Sequence, residues 1–348
     1  MNNLNKDSVQ SQKSYNIYGL GAALVDTEIE VSDAELQQLS IEKGIMTLVD
    51  EPRQAQLLQA LADHLPSSKL ACGGSAANSI IGASYLGCKT FYSCRVANDN
   101  NGQFYLNDLN AAGVSFKTGN GSTNGVTGKC LVLITPDAER TMNTFLGISE
   151  SVNITDIDEA ALADSDYAYI EGYLVTSTTG KPTAIRLREL AEQHNVKVAF
   201  SLSDPAIVEY FYDGLVDMIG TSADLLFCNE AEAMAFTKTS DINDAFAKLK
   251  TVAKTFAITC GANGARLFDG NKDTHVTSPK VKAIDSNGAG DMFAGAFLAS
   301  LSQGKSFEYA GAFGCFAAAK VVSQFGPRLS AEQYAQLESQ FEEKNILA

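Results

Sequence analysis

The sequence is poor in the residues that build metal clusters and disulfide frameworks. It has no tryptophan, only three histidines and seven cysteines in 348 residues. The cysteines are odd in number and widely scattered, most of them lie in apolar surroundings, and none forms a CxxC pair. This pattern argues against a zinc cluster and against a disulfide scaffold. We therefore expect buried, reduced thiols.

Positive charge and long apolar runs are also scarce. Lysine and arginine total 26 against 41 for aspartate and glutamate, so the formal net charge is −15. Such a charge repels nucleic-acid backbones and anionic membranes, and no apolar run is long enough to span a bilayer. We expect no nucleic-acid partner and no membrane partner, and any phosphate site must be formed locally.

The opening segment differs from the rest of the chain. Residues 1–14 are polar and lack the apolar core of a signal peptide, so we predict a disordered tail and a cytoplasmic protein. The remaining residues, 15–348, exceed the length at which one hydrophobic core usually stops growing. This length favours one large domain with an appendage over two equal domains.

From residue 15 onward, short apolar runs alternate with segments of helical periodicity. Residues 196–202 and 224–228 have the pattern of buried strands, and residues 179–194 have that of a helix. The alternation predicts an α/β fold with a mostly parallel sheet covered by helices. In the carboxy-terminal third we predict strands at 256–259, 265–268 and 281–284, and helices at 291–301, 307–324 and 331–344.

Two regions interrupt this alternation. They contain four short strand patterns, which lie at 28–31, 45–49, 129–135 and 140–145. Together these strands can form a small second sheet contributed by about residues 27–50 and 120–146. A movable sheet over a cleft would exclude water from a transferable phosphate, so we predict a lid.

The most informative segment is Asp285–Asp291, which joins a strand pattern to a helix pattern. A helix start leaves backbone N–H groups without partners at the positive end of the helix dipole, so Gly288, Ala289 and Gly290 can present amides to an anion. Asp291 would repel that anion, unless it takes a proton from a nucleophile that attacks a phosphate. The alternative is that Asp291 only complements the helix dipole.

Polar residues and glycines mark two earlier strand ends. Asp26 just follows a buried strand, where it can accept hydrogen bonds from ligand hydroxyls or serve as a turn residue. Gly73 and Gly74 permit close backbone approach, and Asn78 offers a donor and an acceptor on the following helix. A plain loop with Ser75 as the N-cap explains the second motif equally well.

Two further motifs follow later strands. Asn229 and Glu232 lie three residues apart on one helix face, where a carboxylate can hold a hydrated magnesium ion, although a capping box has the same spacing. Residues 259–264 join two strands through Gly261 and Gly264, and this is either a plain hairpin turn or a backbone approach to a ligand. All these features follow strands, and open α/β sheets bind ligands at the carboxyl ends of their strands.

Two familiar nucleotide-binding motifs are excluded. Gly19–Leu24 has Leu24 in place of the third glycine of a dinucleotide fingerprint, and a strand-like segment follows it instead of a helix. Gly125–Lys129 has the wrong spacing for a Walker loop, and Cys130 stands where a magnesium-binding Ser or Thr is needed. Phosphate must be bound by other residues.

Taken together, the diglycine loop, the Asn229/Glu232 pair, the 259–264 turn and the Gly288–Asp291 turn resemble the signatures of the ribokinase-like (PfkB) carbohydrate and nucleoside kinases, in the family's order. The resemblance covers residues 15 to about 328, and the glycine turn with its aspartate is the specific part. It implies a ribokinase-like three-layer α/β/α fold with a mostly parallel central sheet and a small β-sheet lid.

The resemblance implies a role for each motif. Asp291 would be the catalytic base toward a primary hydroxyl, and Arg140 would reach the transferring phosphate. The amides of the anion hole would be those of Gly288, Ala289 and Gly290. The substrate hydroxyls would be bound by Asp26, Gly73, Gly74 and Asn78. ATP would be bordered by Asn229, Thr259, Gly261, Gly264, Gly288 and Gly290. Mg²⁺ would be held through water by Asn229 and Glu232.

Within the family, residues 33–50 and 135–143 are closer to the adenosine-kinase-like branch than to ribokinase or fructokinase. One departure is Asn287, where the family usually has Thr, and it bears on phosphate binding and on binding of a monovalent cation such as K⁺ near Asp285. The resemblance implies ATP and Mg²⁺ as cofactors and a small nucleoside or sugar as the partner. Both a monomer and a homodimer are open.

The predicted reaction is transfer of the γ-phosphoryl group of ATP to the 5′-hydroxyl of an adenosine-like nucleoside, as in purine salvage. One alternative is a kinase of a free sugar such as ribose or fructose. A second is a non-catalytic ligand-binding or regulatory protein on the same scaffold, since fold does not fix function. A nicotinamide-dependent oxidoreductase is disfavoured by the failed dinucleotide fingerprint.

Overall fold

The computed structural model describes residues 13–344, so most of the predicted tail, residues 1–12, lies outside the described residues. Lys13 and Ser14, the last two residues of that segment, contact the beginning of a buried strand. Lys13 Nζ donates to the Ser165 carbonyl at 2.5 Å, and the Ser14 amide donates to the Asp164 carboxylate at 3.1 Å. These contacts join residues 13 and 14 to the folded part of the chain.

The strands agree closely with the apolar runs of the sequence. In chain order they are β1 (Tyr15–Leu20), β2 (Leu24–Glu30), β3 (Met46–Leu48), β4 (Lys69–Gly73), β5 (Thr90–Ser93), β6 (Gly128–Ile134), β7 (Arg140–Phe145), β8 (Ser165–Glu171), β9 (Lys197–Ser201), β10 (Ala223–Asn229), β11 (Ala253–Thr259), β12 (Ala265–Phe268) and β13 (Asp273–Val276).

Most helices begin at a Ser, Asp or Asn whose side chain caps the first turn. In chain order they are α1 (Asp33–Gln38), α2 (Glu51–Ala60), α3 (Ser75–Tyr85), α4 (Asn100–Ala111), α5 (Glu159–Ala163), α6 (Gly180–Gln193), α7 (Pro205–Tyr210), α8 (Tyr212–Ile219), α9 (Glu230–Thr237), α10 (Ile242–Leu249), α11 (Ala289–Ser302), α12 (Phe307–Val322) and α13 (Ala331–Glu343). By contrast, α3 and α11 begin at Gly74 and Gly288, which have no side chain to cap them.

The main sheet has eight strands in the order β13-β12-β11-β10-β9-β8-β1-β5. From β11 to β5 all neighbours are parallel, and β12 and β13 extend the β11 edge as antiparallel strands. Parallel neighbours need crossover connections, which the helices supply. The predicted α/β class and the predicted hairpin of β11 and β12 are confirmed.

Successive residues of the main strands face opposite helix layers. In β1, Ile17 belongs to a core cluster that includes residues of α3, α4, α11, α12 and α13, whereas Tyr18 belongs to a cluster that includes residues of α5 to α10. This alternation is the two-residue period of a strand that is buried on both faces. The fold therefore has the three α/β/α layers that the resemblance implies.

The second sheet has five strands in the order β3-β7-β6-β2-β4. One face, which includes Ile29 and Leu131, packs on α1 and α2, and the other, which includes Cys130 and Val132, faces the main body. The prediction of four lid strands omitted β4, which pairs antiparallel with β2. Its pattern is weak because β4 is an edge strand whose Leu70 is 60% exposed.

One predicted strand is wrong. Residues 281–284 form no regular element, and the amides of Ile284 and Asp285 donate instead to the Val322 carbonyl at the end of α12. Val281 is exposed and stands between two lysines, so the segment has no buried apolar side that would fix it in a sheet.

The seven cysteines all lie within the described residues, where they are buried and form no disulfide, as predicted. No helix within residues 13–344 is both long and apolar enough to cross a membrane.

Candidate active site

A cavity of about 450 Å³ lies between the lid sheet and the carboxyl ends of the main strands. It brings together most of the residues singled out in the sequence. Those that line it are Asp26, Gly74, Asn78, Arg140, Asn229, Glu232, Thr259, Gly261, Gly288, Ala289, Gly290 and Asp291. The parallel strands end at a common edge, which explains why residues far apart in sequence meet there.

The glycine turn leads directly into α11. Gly288 has φ +73°, and a Cβ at this position would lie 2.2 Å from the Pro327 carbonyl oxygen. At Gly290 a Cβ would meet no atom within 4 Å, so this glycine leaves open space beside the backbone. Within residues 13–344, the amides of Gly290 and Asp291 donate to no acceptor. The start of α11 can therefore receive an anion.

Buried polar bonds hold the turn in place. One carboxylate oxygen of Asp285 accepts the Asn287 amide at 2.8 Å, and the other accepts the Gly326 amide at 2.9 Å. The Asn287 side chain lines the cavity and also reaches the lid, where its Nδ2 donates to Glu28 at 3.4 Å. The residue that departs from the family pattern thus links the turn to β2.

Asp291 is directed across the cavity toward α3. Its carboxylate accepts hydrogen bonds from Ser75 Oγ at 2.6 Å and from Asn78 Nδ2 at 3.0 Å. Burial raises the pKa of Asp291, while these two bonds and the charge of Arg140 oppose the rise. This geometry favours a base in the cavity over a carboxylate that only complements the dipole of α11.

Asp26 lies inside β2, not just past β1 as the sequence suggested. It is 5% exposed and lines the cavity, and its carboxylate accepts no hydrogen bond from any residue in the range 13–344. Burial, and then the nearby Glu28, raise its pKa well above the ordinary range. A buried acid without a donor is costly, and a ligand hydroxyl in the cavity would supply that donor.

The predicted pair Gly73 and Gly74 serves two different purposes. Gly73 does not line the cavity; a Cβ there would lie 2.0 Å from Asp26 Oδ1, so this glycine makes room for the acid. Gly74 lines the cavity with φ +97° and is itself the N-cap of α3. The alternative with Ser75 as N-cap is therefore wrong, and Ser75 is the first helical residue.

Asn229 and Glu232 form the capping box of α9 and also face the cavity. The Asn229 side chain accepts the Glu232 amide at 2.8 Å, and Glu232 accepts both the amide and Nδ2 of Asn229. Burial raises the pKa of Glu232 to about 7. No group of three metal-ligating side chains occurs in the described part of the chain, but one carboxylate beside a phosphate suits a hydrated Mg²⁺.

The two glycines of the 259–264 turn also differ. Thr259 and Gly261 line the cavity, but Gly264 does not. A Cβ at Gly264 would lie 1.9 Å from the Val276 carbonyl oxygen, and its φ is +95°. Close packing against the end of β13 therefore explains this glycine, and its place at the ATP site stays a prediction.

Arg140 is the first residue of β7 and extends from the lid into the cavity. Its Nη1 lies 3.2 Å from Met142 Sδ. Burial disfavours its charge, but Tyr173 and Asp291 more than compensate, and its pKa is raised. A permanently charged guanidinium is therefore available from the lid side.

Sequence reasoning missed Glu171, the last residue of β8. It is fully buried, and its carboxylate accepts the Ala22 amide at 2.6 Å and the Ala76 amide at 2.7 Å. Burial raises its pKa to about 7, against the effect of these two bonds. An acid that ends an apolar strand at the ligand-binding edge of the sheet was a signal available in the sequence.

The cavity has two chemically different walls. The main body contributes the carboxylates and the amides described above. The lid side is largely apolar, and its lining includes Leu24, Met46, Leu48, Cys130, Met142 and Leu146. Such a wall suits a flat, apolar group attached to a hydroxyl-bearing one.

Comparison with known proteins gives consistent results. A profile of the pfkB family carbohydrate kinases matches residues 44–333. The adenosine kinase of Saccharomyces cerevisiae is 29% identical over 335 residues, which are 90% of this chain and 96% of that protein. The similarity extends over nearly the whole chain.

Solved structures also match over nearly the whole chain. The adenosine kinase of Sinorhizobium meliloti matches with a TM-score of 0.87 and 30% identity, covering 93% of this chain and 99% of that one. A probable sugar kinase from Rhizobium etli matches with a TM-score of 0.88 and 30% identity, covering 94% and 99%.

Proposed function

Because the chain belongs to the pfkB family of carbohydrate kinases, which are phosphotransferases with an alcohol group as acceptor, we propose that it transfers the γ-phosphoryl group of ATP to the 5′-hydroxyl of an adenosine-like nucleoside. The predicted family and enzyme class are confirmed. The nucleoside acceptor and the residue roles are the proposal.

One observation carries the reaction. The carboxylate of Asp291 and the unpaired amides of Gly290 and Asp291 lie together at the start of α11. A base and an anion site next to each other are what in-line attack of a hydroxyl on a phosphoryl group requires. We propose that Asp291 takes the proton of the attacking hydroxyl while the amides stabilise the charge on the phosphoryl oxygens.

The acceptor is oriented by two further groups that line the same cavity. Asp26 lacks a donor, and Asn78 Oδ1 is buried without a partner in the described structure. Acceptor hydroxyls would satisfy both groups, and the apolar lid wall near Leu24 and Met142 would cover the base. This wall supports a nucleoside over a free sugar, which has no apolar group of that size.

Mg²⁺ fits the site as a hydrated ion near Asn229 and Glu232, because a single cavity-lining carboxylate is enough when phosphate oxygens complete the shell. When bound, it would neutralise phosphate charge. Arg140 adds a second positive charge from the lid, so closure of the lid would bring it to the transferring group and exclude water.

A free sugar is the second candidate, and it is supported by the 30% identity to the probable sugar kinase of Rhizobium etli. The two candidates differ in the use of the apolar wall. A sugar kinase would leave this wall without a contact, whereas a nucleoside kinase would gain affinity from it.

The test is an acceptor panel. ADP release and phosphorylated product would be measured with ATP and Mg²⁺ for adenosine, inosine, guanosine, ribose and fructose. We expect the highest kcat/KM with adenosine, and Leu48→Ser should lower it for nucleosides but not for sugars. Higher kcat/KM with ribose or fructose would replace the nucleoside with a sugar, and no product with any acceptor would support a binding protein.

A further inference from the structure

Glu171 makes two bonds that connect separate parts of the site. Its Oε1 accepts the amide of Ala22, in the segment between β1 and β2, and its Oε2 accepts the amide of Ala76, in the first turn of α3. The carboxylate has no exposed surface. Each oxygen is therefore used to hold backbone.

The hydrogen bond between Glu171 and the Ala22 amide affects the position of Asp26 through the short segment between these residues. Ala22 is held on both sides, since Tyr92 Oη donates to its carbonyl at 2.9 Å. Ser149 Oγ accepts the next amide, that of Ala23, at 2.8 Å. Asp26 follows three residues later on β2, so the position of Ala22 helps to fix the position of that acid.

The Ala76 bond reaches Asp291 through α3. This helix begins at Gly74, which has no side chain to cap it. Glu171, at the end of β8, supplies the acceptor that the Ala76 amide would otherwise lack. Ser75 and Asn78 on the first turns of α3 both donate to the Asp291 carboxylate. The orientation of α3 therefore fixes the donors that hold the proposed base.

The close fit around Glu171 supports a structural purpose for both bonds. A Cβ at Gly21 would lie 2.7 Å from Glu171 Oε2, and a Cβ at Gly74 would lie 2.2 Å from the Ala22 carbonyl oxygen. Both glycines let the two backbone segments approach the same carboxylate.

We propose that Glu171 is a positioning residue that clamps the Asp26 segment and the start of α3 to the end of β8, and so sets the distance between the acceptor site and the base. Glu171 lines the cavity, but both of its oxygens are engaged by backbone amides, so in this proposal it acts through those amides and not by contact with the substrate. The inference rests on the proposed function for its kinetic consequences, but the clamp itself can be tested without catalysis.

The first test measures amide hydrogen exchange in the ligand-free protein. Glu171→Gln keeps the shape of the side chain but places an NH₂ group against one of the two backbone donors. We expect faster exchange in the peptide that covers the segment whose amide loses its acceptor, residues 21–26 or residues 75–80. Ser149→Ala is the matched control, because Ser149 holds only the first segment, and it should speed exchange in 21–26 alone. Unchanged exchange at both segments in Glu171→Gln would overturn the clamp.

The second test is kinetic. Glu171→Gln should lower kcat and raise the KM for the acceptor, with a combined loss on the order of 10- to 100-fold, because small misplacements of reacting groups are costly. The KM for ATP should stay within twofold, roughly the error of such a measurement. Ser149→Ala should raise only the acceptor KM.

Deoxy acceptors separate the clamp from a direct contact. If Glu171 acts through backbone, its substitution should still lower kcat with 2′-deoxyadenosine and 3′-deoxyadenosine, because the α3 donors that hold Asp291 do not depend on those hydroxyls. A loss that disappears with one deoxy acceptor would overturn the clamp in favour of a hydroxyl contact. If Glu171→Gln does not fold, Glu171→Asp, which is too short to reach both amides, takes its place. Absence of any product with the wild-type protein would refute the proposed function and leave the exchange result to decide the clamp.

Discussion

Two of the helices that begin at the cavity, α3 and α11, share a glycine N-cap but are completed differently. At the start of α3, the acceptor for a free amide is the protein's own Glu171. At the start of α11, the amides of Gly290 and Asp291 have no acceptor in the described structure. The contrast teaches that the protein itself completes one helix end, while the other presents free amides that can receive an anionic ligand.

Asp291 connects the two helix ends, because it belongs to α11 and is held by Ser75 and Asn78 of α3. Substitution Asp291→Asn should therefore have the largest effect. We expect kcat to fall by about 10²–10⁴-fold, as for loss of a general base, with KM values for both substrates changed only severalfold. Steady-state kinetics with circular dichroism as a folding control would measure this; near-normal turnover would remove the base from Asp291.

Substitution of Asp26 tests the binding of the acceptor separately from the binding of ATP. We expect Asp26→Asn to raise the acceptor KM by about 10- to 100-fold, the usual cost of losing a hydrogen bond to a charged group, while the KM for ATP stays unchanged. In the ligand-free protein the same change should not lower the melting temperature, because it removes a buried acid that has no donor. An unchanged acceptor KM would contradict a hydroxyl contact at Asp26.

The glycines of α11 separate folding from ligand binding. Gly290→Ala meets no atom within 4 Å, so we expect a folded protein whose KM for ATP rises about tenfold, because the methyl group crowds the open amides. Gly288→Ala has both a positive φ and a clash with Pro327, and should cost about 1–3 kcal/mol of stability. The melting temperature should fall in Gly288→Ala, and ATP titrations should show weaker binding in Gly290→Ala. Equal changes of both quantities in the two variants would contradict this expectation.

The smallest effect that we predict is the pH dependence of the stability that Glu171 contributes at the start of α3. The pKa of Glu171 in the folded protein is raised to about 7, so its stabilising contribution is complete below the unfolded pKa and is lost as the pH rises through 7. Between pH 5 and pH 7.5, the melting temperature of the wild type should fall by roughly 2–4 °C relative to Glu171→Gln. A difference that is constant with pH would contradict the raised pKa.

The sequence predicted the start of α11 better than the start of α3, where Glu171 is the acceptor. The turn at Asp285–Asp291 is local, because its glycines and the following helix are adjacent in the chain. Glu171 acts on segments that lie far away in sequence, and one acid at the end of an apolar strand does not indicate which amides it meets. Gly264 shows a related limit of local patterns: a glycine turn in the sequence does not distinguish contact with a ligand from contact with β13.

The fold itself followed from strand and helix periods, and the errors fell where burial is weak. β4 was missed because its Leu70 is largely exposed at the sheet edge, and residues 281–284 were taken for a strand although Val281 is exposed. In both segments the apolar pattern does not indicate whether a strand forms, because packing and not local preference decides strand formation.

The most direct test of the account is a single reaction of the wild-type protein with ATP, Mg²⁺ and adenosine, analysed by mass spectrometry and ³¹P NMR. We predict one adenosine monophosphate for each ADP formed, with its phosphorus coupled to the 5′ protons. ADP and inorganic phosphate without a phosphorylated nucleoside, or phosphate on another hydroxyl, would contradict the proposed geometry of Asp26 and Asp291.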